Sequence, residues 1–376
     1  MKFKVFFILA TIMAVIAYLY LGSSEHKKQQ LQETVVVLEK IEPYSKYNFG
    51  HNLKSINIGT QPLYLPTGMF TEIMKRDEIL KADLSKLSFN VNFFPFYKGS
   101  DLNYFLAKDS LQAGIGGDMP TISISAKYNV VVPAMLQHGF SSIVSNNHML
   151  INQLKGKEIG YAFGSNAHYA LLNALKSEKI DVSEVTLIPL NVNQMSKQLA
   201  DKKIDAFAAW EPTPSLALKE DRTFTTIHKQ ISTGYFYLSQ DFSINNVKVT
   251  KCLVASLLRA YNWLNEDRQN VVLSARWLKS EIEFFTKESF KLSENEIVKL
   301  AKKDILGFAG SQSLANDESI IKNQLFEEFE FLKQLNKIPA EISWERVLNS
   351  FNYSFISDII NESEDYQIYE YSYKIN

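Results

Sequence analysis

Leu154–Pro212 reads LKGKEIGYAFGSNAHYALLNALKSEKIDVSEVTLIPLNVNQMSKQLADKKIDAFAAWEP. Glu158–Phe163 is short, apolar and aromatic, the composition of a buried strand. Gly164-Ser165-Asn166 is turn chemistry, and Ser165 or Asn166 can cap a helix. From Ala167 onward, Ala170, Leu171, Ala174 and Leu175 recur at helical spacing. The same logic then repeats: Val185–Leu190 as strand, Gln194–Ala200 as a short helix, Ile204–Trp210 as strand. A β-α-β-α-β order predicts a parallel sheet. Small ligands bind such sheets beyond the carboxyl ends of the strands, where helices begin. The Ser165–His168 turn and the Trp210-Glu211-Pro212 corner lie at such ends.

Upstream, the pattern is the same. Lys54–Gly59 is a strand with Ile56 and Ile58 on one face, and Gln61-Pro62 turns the chain into a helix near Leu65–Arg76. Phe89–Phe94 is the next strand, and Gly99-Ser100-Asp101 starts a helix through Leu106. Ala113–Gly116 follows, then a helix opening at Gly117-Asp118-Met119-Pro120-Thr121, then a strand at Val130–Leu136. Ser141–Ser145 reads as a further strand. From Val249 the chain is mostly helical, with Leu253, Leu257, Leu258, Tyr261 and Leu264 on one face. Val271–Leu278, Glu294–Ala301 and Gln324–Leu335 continue the helical run, and the tail from Asn361 is acidic and rich in tyrosine.

Leu154–Ile159, Gly164–Tyr169 and Ile204–Pro212 together resemble the substrate-binding proteins of nitrate/sulfonate/taurine ABC importers. That family opens its second lobe with LKGKKIA and GSSAHY and later carries VDA followed by WEP or WDP. A looser likeness runs from about Ile56 to Leu348. The resemblance implies an α/β, two-lobed type 2 periplasmic binding fold. Each lobe would be a mostly parallel sheet flanked by helices, with a helical C-terminal region. It places lobe 1 at 53–138 and 238–376 and lobe 2 at 139–237, with crossings near His138-Gly139 and Gly234–Ser239. Two crossing segments make a hinge. It also implies that Gln61, Ser100 and Asp118 face the cleft, with the helices after Val249 buttressing lobe 1.

Length, charge and cysteine usage bound the reading further. The 376 residues suffice for two cores. Lys and Arg total 40 against 41 Asp and Glu, which argues against a nucleic-acid partner. The single cysteine, Cys252, allows no intramolecular disulfide and reads as a buried structural thiol. The six histidines show no metal-ligand spacing, so no metal and no cofactor are expected. Val5–Leu21 is free of charge and follows Lys2 and Lys4, the pattern of an apolar anchor or a signal within residues 1–22. Residues 23–52 read as a tether. Either outcome sends the rest of the chain to the periplasm or to the outer face of the cytoplasmic membrane, as a monomer.

The cleft chemistry follows from helix starts. Unpaired N–H groups and the helix dipole hold anionic oxygens without any catalytic residue. Three starts converge in this reading: Ser100-Asp101, Met119-Pro120-Thr121 and Asn166-Ala167-His168. Tyr64, Trp210 and Tyr235 are candidates to stack on the organic part of a ligand. Asp118 and Glu211 would oppose a bare anion, by about 4 kcal/mol each at ~4 Å. They therefore point to a taurine-like or otherwise amino-bearing ligand. No nucleophile–base pair, Gly-x-Ser-x-Gly or P-loop is present, so no catalytic residue is expected. The function expected is solute capture for an ABC permease and its ATPase. The competing readings are a membrane-anchored sensor and a thiamine-pyrimidine biosynthesis enzyme on the same fold. A single cysteine weighs against the enzyme, whose branch carries a cysteine-rich, iron-linked segment.

Overall fold

The computed structural model describes residues 38–50, 54–302, 304–305 and 320–375. The apolar run Val5–Leu21 and residues 23–37 of the tether lie outside the described residues. The chain divides into two units, Met1–Tyr47 and Asn48–Asn376. In the first, residues 38–47 contain two single turns of 3-10 helix, Leu38–Lys40 and Tyr44–Lys46.

The second unit is built on one eight-stranded sheet. Its strands are β1 (Ser55–Thr60), β2 (Asn90–Pro95), β3 (Ala113–Gly117), β4 (Val130–Ser145), β5 (Glu158–Tyr161), β6 (Thr186–Pro189), β7 (Ala206–Trp210) and β8 (Thr225–Ser239). They lie in the order β2-β1-β3-β8-β4-β7-β5-β6. β1 pairs in parallel with β2 and β3, and β5 pairs in parallel with β6 and β7. The outer two groups are therefore the parallel sheets that the alternation of strands and helices predicts. Ile56, Ile58, Ile115 and Ile159 are fully buried, as strands covered on both faces require.

The centre differs from the sequence reading. β4 and β8 are long antiparallel strands paired from Val130↔Ser239 to Ser145↔Thr225, with register shifts between Val131 and Ala134, Met135 and Gln137, and Ile143 and Val144. β3 and β7 also join them antiparallel, so the sheet is mixed. The sequence suggests two separate strands, Val130–Leu136 and Ser141–Ser145. The chain between them does not loop, because its residues pair with β8: Gln137 with Gly234, His138 with Thr233, Gly139 with Ser232. A backbone that crosses the middle of a protein must satisfy its polar groups, and a paired strand does so.

Helices cover both faces. In chain order they are α1 (Thr67–Arg76), α2 (Glu78–Lys86), α3 (Gly99–Leu106), α4 (Asp118–Lys127), α5 (Asn166–Ser177), α6 (Val192–Ala200) and α7 (Thr213–Glu220). After β8 come α8 (Gln240–Asn245), α9 (Val247–Glu266), α10 (Arg268–Thr286), a helical stretch at 294–302, α11 (Ile320–Gln334), α12 (Trp344–Leu348) and α13 (Ser354–Asn361). Leu253, Leu257, Leu258 and Leu264 of α9 are buried, and Tyr261 is half-buried on the same side. Cys252 is buried beside them, and burial pushes its thiol up to about 11, which makes it inert.

The acidic, tyrosine-rich tail folds back onto the α1–α2 junction. Tyr373 bridges Asp77, the Glu78 N–H donates to Ser372 O at 2.8 Å, and the Lys374 N–H donates to Arg76 O at 3.0 Å. Arg259 fixes this corner. Its Nε donates to Asp77 Oδ2 at 3.0 Å and its Nη1 donates to Tyr366 O at 2.6 Å, with both side chains 1% exposed. Helix α11 does more than buttress the first parallel group. It packs on α4, and its Phe331 also stands 4.9 Å from the Tyr169 ring of α5.

Candidate functional site

The carboxyl ends of β1, β3, β5 and β7 meet around one cleft, with the chain after β2 completing the wall. The cleft encloses about 320 Å³ of empty space counted to its open mouth.

From the β1 end come Gln61 and Tyr64. Gln61 Nε2 donates to Ile115 O at 2.6 Å, which ties the loop to β3. The Tyr64 hydroxyl donates to Thr233 O at 3.0 Å and lies 3.3 Å from Ser232 Oγ. Burial raises its pKa well above the ordinary range, so it remains a neutral donor. The β2 end contributes Lys98, Gly99 and Ser100, where α3 begins. A Cβ on Gly99 would lie 2.7 Å from the Pro120 ring, so a glycine lets the starts of α3 and α4 approach each other. Gly117 and Pro120 supply the α4 side.

The opposite wall is the turn Phe163-Gly164-Ser165-Asn166 and Trp210. Gly164 has φ +70°, a conformation that glycine adopts without strain. Ser165 is the N-cap of α5: its Oγ accepts from the His168 N–H at 3.3 Å and donates to Ala162 O at 2.6 Å. The first-turn N–H groups of Asn166 and Ala167 have no intrahelical acceptor. The Asn166 amide donates to Ser232 Oγ. The two walls also touch directly. Trp210 Nε1 donates to Leu63 O at 2.8 Å, and the Leu65 N–H donates to Glu211 O at 3.1 Å. The Tyr64 and Trp210 rings meet edge to face at 5.9 Å.

Of the residues singled out from sequence, Gln61, Tyr64, Ser100, Ser165, Asn166 and Trp210 line this cleft. The other six stand behind it. Asp118 is fully buried; its Oδ1 accepts from the Met119 N–H and its Oδ2 from the Thr233 N–H, both at 2.9 Å. Burial raises its pKa to about 6, and those N–H bonds oppose the rise. The carboxylate thus ties the start of α4 to β8. Met119 and Ala167 are core residues. The His168 ring packs against Tyr161 at 4.5 Å and Phe163 at 5.4 Å, and its Nδ1 accepts from the Gly164 N–H at 3.3 Å. Burial, helped by the charge of Lys337, lowers its pKa to about 4. Glu211 Oε2 accepts from the Ser215 N–H at 3.3 Å, a contact with the start of α7, and burial raises its pKa. The Tyr235 ring sits 5.4 Å from Phe351.

Lys98, Gly99, Gly117, Phe163 and Gly164 line the cleft without having been singled out as ligand contacts, and Pro120, named only within a helix start, joins them. Lys98 and Phe163 each lie in the run between a strand and a helix start, a position that the rule for ligands in parallel sheets picks out. Lys98 is the charged side chain of the lining; its Nζ is 3.6 Å from Asp101 Oδ1. Among the described residues no group of three or more His, Cys, Asp or Glu is placed to hold a metal ion.

A sheet with two parallel wings joined by two long antiparallel strands, and a cleft at the strand ends between them, defines the type 2 periplasmic binding fold. Residues 127–269 match the family model described as NMT1/THI5 like. The chain is similar to the taurine-binding periplasmic protein of Escherichia coli (strain K12), with 24% identity over 267 residues, 66% of this chain and 79% of that protein. Its structure is similar to that of the alkanesulfonate-binding protein SsuA of Xanthomonas axonopodis pv. citri, with a TM-score of 0.59 and 16% identity over 81% of this chain and 99% of that one. The periplasmic aliphatic sulphonate binding protein SsuA of Escherichia coli gives a TM-score of 0.58 and 14% identity, covering 78% of this chain and 92% of that one. The relatives it resembles are binding proteins rather than enzymes.

Proposed function

We propose that this protein is an extracytoplasmic solute-binding protein that captures a small sulfonate, taurine-like or otherwise polar organic ligand and delivers it to an ABC permease and its ATPase. In this reading residues 53–138 and 238–376 form one lobe and 139–237 the other. The lobes turn about the paired crossings Gln137–Gly139 and Ser232–Gly234 of β4 and β8. The N-terminal apolar segment holds or sends the protein to the periplasmic side of the membrane, where it works as a monomer.

The observation that carries the reading is convergence. Strand ends from both parallel wings and the starts of α3, α4 and α5 frame a single cleft, with Tyr64 and Trp210 as its aromatic walls. Helix starts offer N–H groups to anionic oxygens, and rings cover an organic tail. Binding by such groups needs no bond to be made or broken, so the function requires no nucleophile.

A thermal-shift screen tests it, with taurine, short alkanesulfonates, nitrate and a thiamine-type pyrimidine as the panel. A true ligand at a hundred times its dissociation constant adds about 2.7 kcal/mol to stability. A folded protein whose melting temperature none of these compounds moves would sink the proposal.

A further inference from the structure

Asp118 and Glu211 are the two carboxylates that sequence reasoning sets against a bare anion. Both are engaged elsewhere. Asp118 accepts backbone N–H groups from Met119 and Thr233 in a fully buried position, and Glu211 accepts from Ser215 outside the cleft lining. Among the residues that line the cleft, the charged side chain is Lys98.

Lys98 is the residue immediately before α3, with an extended backbone at φ −152°, ψ 156°. Its side chain is 29% exposed. Its ammonium stands 3.6 Å from the Asp101 carboxylate, beyond ordinary hydrogen-bond length, so it keeps donors for a further acceptor. Next to it are the first-turn N–H groups of Gly99 and Ser100, which add the positive end of the helix dipole. Across the cleft, the start of α5 at Asn166 presents a second set. A ligand here meets a cation, backbone N–H donors and three aromatic rings, those of Tyr64, Phe163 and Trp210. It meets no carboxylate among the lining residues. An ammonium group on the ligand would meet no carboxylate among those lining residues and would be repelled by Lys98 at close range.

Resting on the solute-binding reading above, we propose that Lys98 makes this cleft selective for a small organic acid whose remaining atoms are uncharged, such as an alkanesulfonate, over the corresponding amino acid analogue, such as taurine. Lys98 holds the acid group at the start of α3, and Tyr64, Phe163 and Trp210 enclose the tail.

Titration calorimetry on the full chain with ethanesulfonate and taurine tests this, in the wild type and in Lys98→Met and Lys98→Arg. The two ligands differ by one ammonium group at the far end, so the acid group and the two-carbon chain are held constant. The wild type is expected to bind ethanesulfonate at least tenfold more tightly than taurine. Lys98→Met is expected to weaken ethanesulfonate at least tenfold and to shrink the ratio between the ligands. Lys98→Arg, which keeps the charge, should restore most of both. Lys98 is partly exposed, and the unchanged melting temperature of each variant will show that the fold is intact. If taurine binds as tightly as ethanesulfonate, or Lys98→Met leaves both affinities unchanged, the role of Lys98 falls while the solute-binding reading stands. If neither compound binds and the wider screen is also silent, that reading falls and takes this one with it.

Discussion

His168 is the residue whose surroundings set the sharpest pH dependence. The ring is 3% exposed and lies against Tyr161, Phe163 and Phe331. Its folded pKa is lowered to about 4 from 6.5. Below pH 6.5 the unfolded chain takes a proton that the folded chain refuses, so stability is lost as the pH falls from about 6.5 to about 4, by roughly 3 kcal/mol in all. Asp118 opposes this. Its folded pKa is raised to about 6 from 3.8, so the folded state takes up a proton first and gains as the pH falls through the same range. The whole-protein profile therefore hides both effects, and a difference measurement separates them. In urea unfolding, His168→Asn is expected to be less stable than wild type at pH 7, through lost packing. The gap should narrow by about 3 kcal/mol by pH 4. A gap that stays constant with pH would show that His168 protonates freely in the folded state. The sequence made the turn of His168 legible, through Gly-Ser-Asn before an apolar helix. It did not disclose which way each side chain points. Asp118 and Glu211 follow strand ends and His168 lies in the first turn of α5, yet backbone N–H groups claim all three; for Asp118 and Glu211 that is visible only when β8 and α7 are in place.

At the scale of elements, the parallel wings were readable because each strand is a short apolar run followed by turn chemistry and a helical period. The long strand β8 was not. Its first part, Thr225–Gln230, is half-exposed or exposed and mixes threonine, lysine and histidine, so it lacks the apolar signature of the others. The tail was opaque for a related reason: its partners include backbone groups of the α1–α2 junction and the side chains of Arg259 and Asn262 on a distant helix. Arg259 is the key to it. Asp77 caps α2 by accepting from the Leu80 N–H at 3.0 Å and also accepts from Ser256 Oγ at 2.6 Å, while Arg259 supplies the balancing charge. Removing one member of a buried pair leaves the other charge without compensation. Arg259→Met is thus expected to lower unfolding stability by about 3–5 kcal/mol, measured by urea denaturation. Truncation after Asn361 should destabilise in the same direction, because Arg259 Nη1 and Asn262 Nδ2 lose Tyr366 O and Ile368 O as acceptors. A truncated chain with wild-type stability would show that the tail is only draped over this corner.

For the whole molecule, the central question is what holds the two walls of the cleft together. Its two walls are bonded directly to each other, so widening the cleft means parting them. Two hydrogen bonds join the walls near the mouth: Trp210 Nε1 to Leu63 O, and the Leu65 N–H to Glu211 O. The first depends on a side chain and can be removed by itself. In the closed form, Trp210→Phe would leave the Leu63 carbonyl without that donor, whereas in an open form water would take its place. The mutation therefore penalises closure selectively, by about 1 kcal/mol or more, which multiplies the ratio of open to closed molecules roughly fivefold. Small-angle X-ray scattering without ligand is expected to give a larger radius of gyration for Trp210→Phe than for the wild type. A ligand that binds between the walls should bring the two values back together, since it replaces the lost contact with its own. Phe331 of α11, which packs on α5 while the rest of its helix packs on α4, must shift in the same motion. Identical scattering from the two unliganded proteins would mean that the Trp210 bond does not govern closure, and that the resistance to opening lies instead in the β4–β8 crossing or under α11.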